Sequence, residues 1–178
     1  MIEPLLYLAD HKFYLVKKYI LDQASVSRKL ERMALEIAES NTDANHIILA
    51  GIQENGSVIA AKLLPMLQKE CSAQVDLISL SFDKKQPKTV SIEPMITFDN
   101  KVVIIIDDVA NSGKAMTYAL KPFLEAYPQK IQTLVLVERT HKAFPVRADY
   151  VGLSVATTLL EHIFVETDGD EITGAYLL

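Results

Sequence analysis

Between Ser25 and Ser40 apolar residues recur at Val26, Leu30, Met33 and Ile37, while Arg28, Lys29, Glu31, Arg32, Glu36 and Glu39 fall largely off that stripe. This spacing predicts an amphipathic helix. His46 to Ala50 then reads as a short buried strand that Gly51 ends. A second helix is expected over Ser57 to Gln68, kinked or interrupted at Pro65, because proline lacks a backbone donor and clashes with the preceding turn. A strand follows around Val75 to Phe82. Residues 83–95, DKKQPKTVSIEPM, are polar and proline-containing and are expected to form a loop or mobile arm.

The longest β-branched run is Val102 to Ile106, inside an expected strand Lys101–Asp107, and it suits a central strand buried on both faces. A helix is expected from about Gly113 to Tyr127, carrying Pro122 internally. Thr133–Val137, Tyr150–Leu153 and Ile163–Val165 read as further strands. This alternation predicts an α/β fold with a doubly wound parallel sheet, in one domain over residues 1–178.

Composition narrows the field of functions. A chain of 178 residues can bury a sizeable core without disulfides. No run of about 18 or more apolar residues suggests a membrane span. The start, MIEPLLYLADHKFY, carries Glu3 and Asp10 and no basic opening, so it is a poor secretory signal. Cys71 is the only cysteine, which fits a reducing cytosol and a cytoplasmic location. A net charge of −5 disfavours nucleic acid as a general partner, since that requires clustered Lys and Arg.

The chemistry concentrates where the Val102 strand ends. Asp107 and Asp108 stand there side by side, followed by the small, polar stretch Val109–Lys114. In open parallel sheets ligands bind beyond the carboxyl ends of strands. A loop of small residues can wrap a phosphate with backbone N–H groups, while two carboxylates accept from vicinal hydroxyls and attract Mg²⁺. The expected ligand is a sugar phosphate, and both acids are expected to face solvent. A P-loop would need glycine at position 108 and Ser or Thr at 115, where this chain has Asp108 and Ala115. Receiver-type acid pairs close the first strand of their domain, whereas these lie late in the chain. The competing interpretation is a buried strand capped by two solvated acids.

Three other places could carry chemistry. Gly51-Ile52-Gln53-Glu54-Asn55-Gly56 is either a second anion loop or a tight strand-to-helix turn. Glu138 could hold a metal and Arg139 a phosphate, or the two could form a structural pair at a strand end. Lys84, Lys85 and Lys88 are either solvated or part of an arm that closes over a diphosphate. His11, His46, His141 and His162 lack metal-ligand spacing and are assigned no catalytic role.

The run VVIIIDDVANSGKA resembles the phosphoribosyl-diphosphate (PRPP) signature of type I phosphoribosyltransferases, with Ser112-Gly113 in its Thr-Gly place. From about Tyr19 to Tyr176 the chain resembles the pyrimidine operon attenuators that double as uracil phosphoribosyltransferases, through SRKLERMALEIAE, HIILAGIQENG and LVERTHKAFPVRADYVGLSVATT. The first eighteen residues lie outside it. The resemblance implies a Rossmann-like core with a small hood, PRPP and a nucleobase as substrates, Mg²⁺ as cofactor, and a homo-oligomer. Asp107 and Asp108 would face the ribose hydroxyls as catalytic residues. Val109, Ala110, Asn111, Ser112, Gly113, Lys114 and Ala115 would form the 5-phosphate loop. Ile52, Gln53, Glu54 and Asn55 would meet the diphosphate, with a cis peptide between Ile52 and Gln53. Val155, Ala156 and Thr157 would meet the base, and Glu138 and Asp168 would approach Mg²⁺.

The chain also departs from the pattern. Gln53 and acidic Glu54 stand where the attenuators carry basic residues, and Asn111 stands where purine-using relatives have an aspartate base. Ala115 lacks the supporting hydroxyl, Ala156 replaces a proline, and the stretch between Phe82 and Lys101 is short, which implies a reduced hood. These departures keep a second function open, that of a catalytically silent PRPP or nucleotide sensor.

Overall fold

Asp22 opens the first long helix by accepting from the Ser25 N–H at 2.7 Å, and the helix runs over Gln23–Ser40 (α1). Its buried stripe is Val26, Leu30, Met33, Ala34 and Ile37, as the spacing predicts. The computed structural model describes residues 7–9, 12–14, 16–83, 87, 89–158 and 161–178. Before α1 come Tyr7–Ala9 (β1), Lys12–Tyr14 (β2) and Lys18–Asp22 (β3). After it follow His46–Ile52 (β4), Asn55–Glu70 (α2), Gln74–Ser81 (β5), Ser91–Glu93 (β6) and Val102–Ala110 (β7). Lys114–Ala119 (α3) leads to a 3₁₀ turn at Lys121–Glu125, then Lys130–Arg139 (β8), Tyr150–Val155 (β9), Ile163–Asp168 (β10) and Glu171–Leu177 (β11).

The main sheet has the order β6-β5-β4-β7-β8-β9, with β5, β4, β7, β8 and β9 parallel and β6 antiparallel at one edge. Val102, Ile104 and Ile106 of β7 pack with the α1 and α2 side chains, while Val103 and Ile105 pack with Phe98, Met116 and Phe123 on the other face. Helical cover on both faces explains why this run has no polar residue. Residues 18–22 and 163–177 together build a small antiparallel sheet, β10-β11-β3, which forms the hood. The stretch between Phe82 and Lys101, from which a reduced hood was expected, contributes no strand to it among the described residues. The strand read at Ile163–Val165 therefore belongs to this hood rather than to the parallel sheet.

Several sequence-based expectations need correction. α2 continues through Pro65, whose position on the exposed side leaves the unpaired carbonyl one turn earlier to water. Pro122 does break the third helix: α3 stops at Ala119, and Pro122 sits in the first turn of the 3₁₀ segment, where a missing N–H costs nothing. The polar segment 83–95 contains β6, paired with β5 through Leu80 and Ile92. Lys84, Lys85 and Lys88, the expected closing arm, lie outside the described residues.

Asn41, just beyond α1, is a buried polar residue, 2% exposed. Its amide donates to Ile37 O and Gln132 Oε1, each at 2.8 Å, and its carbonyl accepts from Lys130 Nζ at 3.0 Å. Asn41→Ala should deprive Ile37 O and Gln132 Oε1 of this donor, while Lys130 keeps Ser40 O, and lower stability by about 1–3 kcal/mol. Urea unfolding checks this, and an unchanged midpoint would show the network to be dispensable.

Candidate functional site

The chain leaves β4 toward α2 on one face of the sheet and leaves β7 toward α3 on the other. These two strands are neighbours, so their loops diverge at a topological switch point, where a crevice forms at the strand ends. Across it Ala110, Glu138 and Ser154 lie in register on β7, β8 and β9, and Arg139 pairs with Val155 one step beyond.

The acids differ in exposure. β7 does not end at them; it runs on to Ala110, with Asp107 opposite Val135. Gly56, in the first turn of α2, lies so close that a Cβ there would meet Ile106 O at 2.6 Å and Asp107 Cα at 3.2 Å. This cover leaves Asp107 only 3% exposed, so the expectation that both acids face solvent fails for it. Asp107 Oδ1 accepts from the Asp108 N–H at 3.0 Å. Asp108 is half-buried, with Oδ1 accepting from Val109 N at 2.8 Å and Oδ2 from Asn55 Nδ2 at 2.8 Å. Each of its oxygens keeps lone-pair capacity for a further donor.

The loop after the acids is braced from behind. Ser112 O accepts from the Ala143 and Phe144 N–H groups, both at 3.0 Å, and Ser112 Oγ accepts from Lys114 N at 3.3 Å. Gly113 takes φ 81°, a left-handed angle that disfavours any side chain, and a Cβ there would also crowd Phe144 O at 3.3 Å. Thr117 donates to Gly113 O through both N and Oγ1, at 3.0 and 2.9 Å. Carbonyls committed in this way fix the path of residues 109–115 around the crevice.

Arg139 forms the link to the segment expected to meet a base. Only 9% exposed, it donates from one terminal nitrogen to Asn111 Oδ1 at 2.7 Å and from the other to Thr158 O at 2.6 Å. Among the described residues its Nε and the Thr157 hydroxyl are buried without a hydrogen-bond partner. Val155 ends β9 and Ala156 is exposed beside it. Val155 O accepts from Thr140 N at 3.3 Å.

Glu138 is occupied on both oxygens, by Lys142 Nζ and by Ser154 Oγ, each at 2.8 Å. Burial pushes its carboxyl up, but those hydrogen bonds and the charges of Lys142 and Arg147 outweigh burial and hold it below the ordinary glutamate range. A folded value below the unfolded one, about 4.3, means that the contribution to stability is complete above that pH and lost as pH falls through the folded value. Glu138→Gln should therefore be less stable than the parent at neutral pH, with the two urea midpoints converging as pH falls below the ordinary glutamate range. Equal midpoints at neutral pH would contradict this.

The remaining residues are placed as follows. Gln53 and Glu54 are exposed, and the non-proline cis peptide lies between them, one residue later than between Ile52 and Gln53. Asp168 is exposed at the end of β10, opposite Glu171. Among the described residues no three His, Cys, Asp or Glu side chains cluster closely enough to hold a metal by themselves. Asp108, half-buried with lone-pair capacity left on both oxygens, still fits Mg²⁺, which ordinarily takes one or two carboxylates and completes its shell with water and substrate phosphates. Sequence reasoning missed Lys142 and Ser154 as partners of Glu138, Thr158 as a partner of Arg139, and the contacts of Asn55 with β10. These residues lie inside the quoted segments, but apart from the four-residue spacing of Glu138 and Lys142 no local pattern announces which of them pair.

A sheet of this topology, with an acid pair and a braced loop at its switch point, defines a class, and the comparisons agree with it. Residues 17–168 match the phosphoribosyl transferase domain family, and the chain belongs to it: a phosphoribosyltransferase of the type I fold. It is 32% identical over 161 residues to the bifunctional protein PyrR of Enterococcus faecalis, covering 85% of this chain and 90% of that one. The bifunctional protein PyrR of Clostridium acetobutylicum is 33% identical over 164 residues, covering 86% and 92%. The solved hypoxanthine phosphoribosyltransferase of Trypanosoma cruzi superimposes with a TM-score of 0.75 at 16% identity, over 90% of this chain and 95% of that one, a likeness of fold alone.

Proposed function

We propose that this protein transfers the 5-phosphoribosyl group of PRPP to a nucleobase, with uracil the leading candidate and diphosphate as the leaving group. The observation that carries the reading is the pairing of a half-buried carboxylate, Asp108, with a braced loop one step further along the same chain. A pentose phosphate spans those two features. Its hydroxyls would donate to Asp108, which buried Asp107 braces from behind through the Asp108 N–H, and its phosphate would take the backbone N–H groups of residues 109–115. Residues Ile52 to Asn55, leaving the neighbouring strand, would meet the diphosphate.

The reaction makes a bond from a ring nitrogen to ribose C1 while the C1–O bond to diphosphate breaks, and the proton of that nitrogen leaves to water or to the departing diphosphate. Positioning and charge stabilisation account for most of such a rate. Mg²⁺, held by Asp108 and the substrate phosphates, would supply countercharge for the leaving diphosphate. Arg139 Nε and the Thr157 hydroxyl support a base site beside Val155 and Ala156, because buried polar atoms without partners suit the edge of a flat heterocycle. Glu138 and Asp168 are the weaker metal candidates, the first being committed to Lys142 and Ser154. One domain, a cytoplasmic location and a homo-oligomeric state belong to the same proposal. Among the described residues no helix is long and apolar enough to cross a membrane.

The same site supports a second reading, that of a silent PRPP sensor, because Asn111 is engaged by Arg139 and Glu54 adds negative charge beside the expected diphosphate. A coupled assay of diphosphate release with PRPP, Mg²⁺ and each of uracil, hypoxanthine, guanine, xanthine and orotate separates the two. Release that needs both PRPP and a base, greatest with uracil, is the expected result. PRPP binding by calorimetry without release from any base would establish the sensor, and the absence of both would overturn the site.

A further inference from the structure

Asn55 is the point where three parts of the molecule meet. It stands at the start of α2, within the expected diphosphate loop, yet its amide turns toward the acid pair and the hood. Nδ2 donates to Asp108 Oδ2 at 2.8 Å and to Val165 O at 3.2 Å, and Oδ1 accepts from Thr167 Oγ1 at 3.4 Å. Both amide hydrogens are used, so this side chain has no donor left for a phosphate. Its partners lie 53, 110 and 112 residues away in sequence. Val165 and Thr167 belong to β10, the outer strand of the hood.

We propose that Asn55 is a positioning residue that ties the Asp108 carboxylate to hood strand β10, so that occupation of the acid pair is transmitted to the hood. This rests on the proposed binding of a pentose phosphate at Asp108. An amide fixed on one side to β10 holds Asp108 in a single rotamer. When a ligand hydroxyl draws Oδ2 toward itself, the amide follows, and Val165 and Thr167 follow the amide. A neutral side chain at this position makes the tie possible, since a basic group would pair with the acid or with the diphosphate instead.

The hood offers a clean reporter. The chain has no tryptophan, and Phe164, adjacent to Val165, is 43% exposed and stacked on Tyr176 with ring centroids 5.4 Å apart. In the Phe164→Trp protein, saturating ribose 5-phosphate with magnesium chloride should shift the tryptophan emission. Adding Asn55→Leu should weaken binding about tenfold by calorimetry and abolish the shift even at saturation. Thr167→Val, a change on the exposed hood strand, should reduce the shift while folding normally. A shift retained in both variants, or calorimetric binding without any shift in the Phe164→Trp parent, would overturn the tie and leave the site intact. Absence of binding in the parent would remove the site itself, and the tie with it.

Discussion

Asp108→Asn is expected to lower kcat/KM for the PRPP-dependent reaction by at least about a hundredfold, a loss of roughly 3 kcal/mol of transition-state stabilisation. Both carboxylate oxygens already accept, one from the Val109 N–H and one from Asn55 Nδ2. An asparagine has only one acceptor, so its NH₂ group must face one of those donors, and the charge that strengthens a bond from a ribose hydroxyl disappears. The half-buried position predicts only a few degrees of change in Tm. Asp107→Asn differs, because that side chain is 3% exposed and holds the Asp108 N–H. It should cost stability as well as activity, measurable as a lower urea midpoint. A double substitution therefore mixes two effects, and only the Asp108 variant tests the site by itself. Activity within about threefold of the parent in Asp108→Asn would take this carboxylate out of the reaction, since lost hydrogen bonds to charged groups ordinarily cost more.

The second large effect comes from a residue with no side chain. Gly56→Ala would place a methyl 2.6 Å from Ile106 O, and backbone on both sides leaves little room to yield. α2 must then back away from β7 at the position of Asp107, at a cost of about 1–3 kcal/mol. The displacement would also carry Asn55 away from Asp108, so binding of ribose 5-phosphate should weaken more than the loss of stability alone would produce. Gly169→Ala is the useful contrast: φ is +57°, so some strain is expected, but no heavy atom lies within 4 Å of the added Cβ. Urea unfolding and calorimetry on both variants check this. A Gly56→Ala protein as stable as the parent would show that the close approach of α2 and β7 is not required.

The parallel core was legible because its signals are local. The Val102–Ile106 run, the stripe of α1 and the glycines around 51–56 each declare themselves within a few residues. The hood was legible only in part: the pattern marked the strand at Ile163–Val165 and the resemblance implied a small hood, but neither said which strands build it. β3 and β11 pair residues far apart in sequence, such as Leu21 with Ala175, and no local signal announces such a pairing. The failed helix over 113–127 is a competition between Pro122 and the apolar pattern, which proline won. In the site, the residue types at 107–115 suggested a chemistry, whereas the exposure of Asp107 depended on Gly56, a neighbour from another element. The same holds for Glu138, whose value as a metal ligand is changed by Lys142 and Ser154. Sequence indicates which groups are present, and packing decides which of them remain available to a ligand.

The most direct measurement is a crystal structure of the protein soaked with ribose 5-phosphate and magnesium chloride. The phosphate is expected within about 3 Å of main-chain nitrogens in residues 109–115, with the vicinal hydroxyls on Asp108. A sugar phosphate bound elsewhere, with residues 107–115 unchanged and unoccupied, would contradict it.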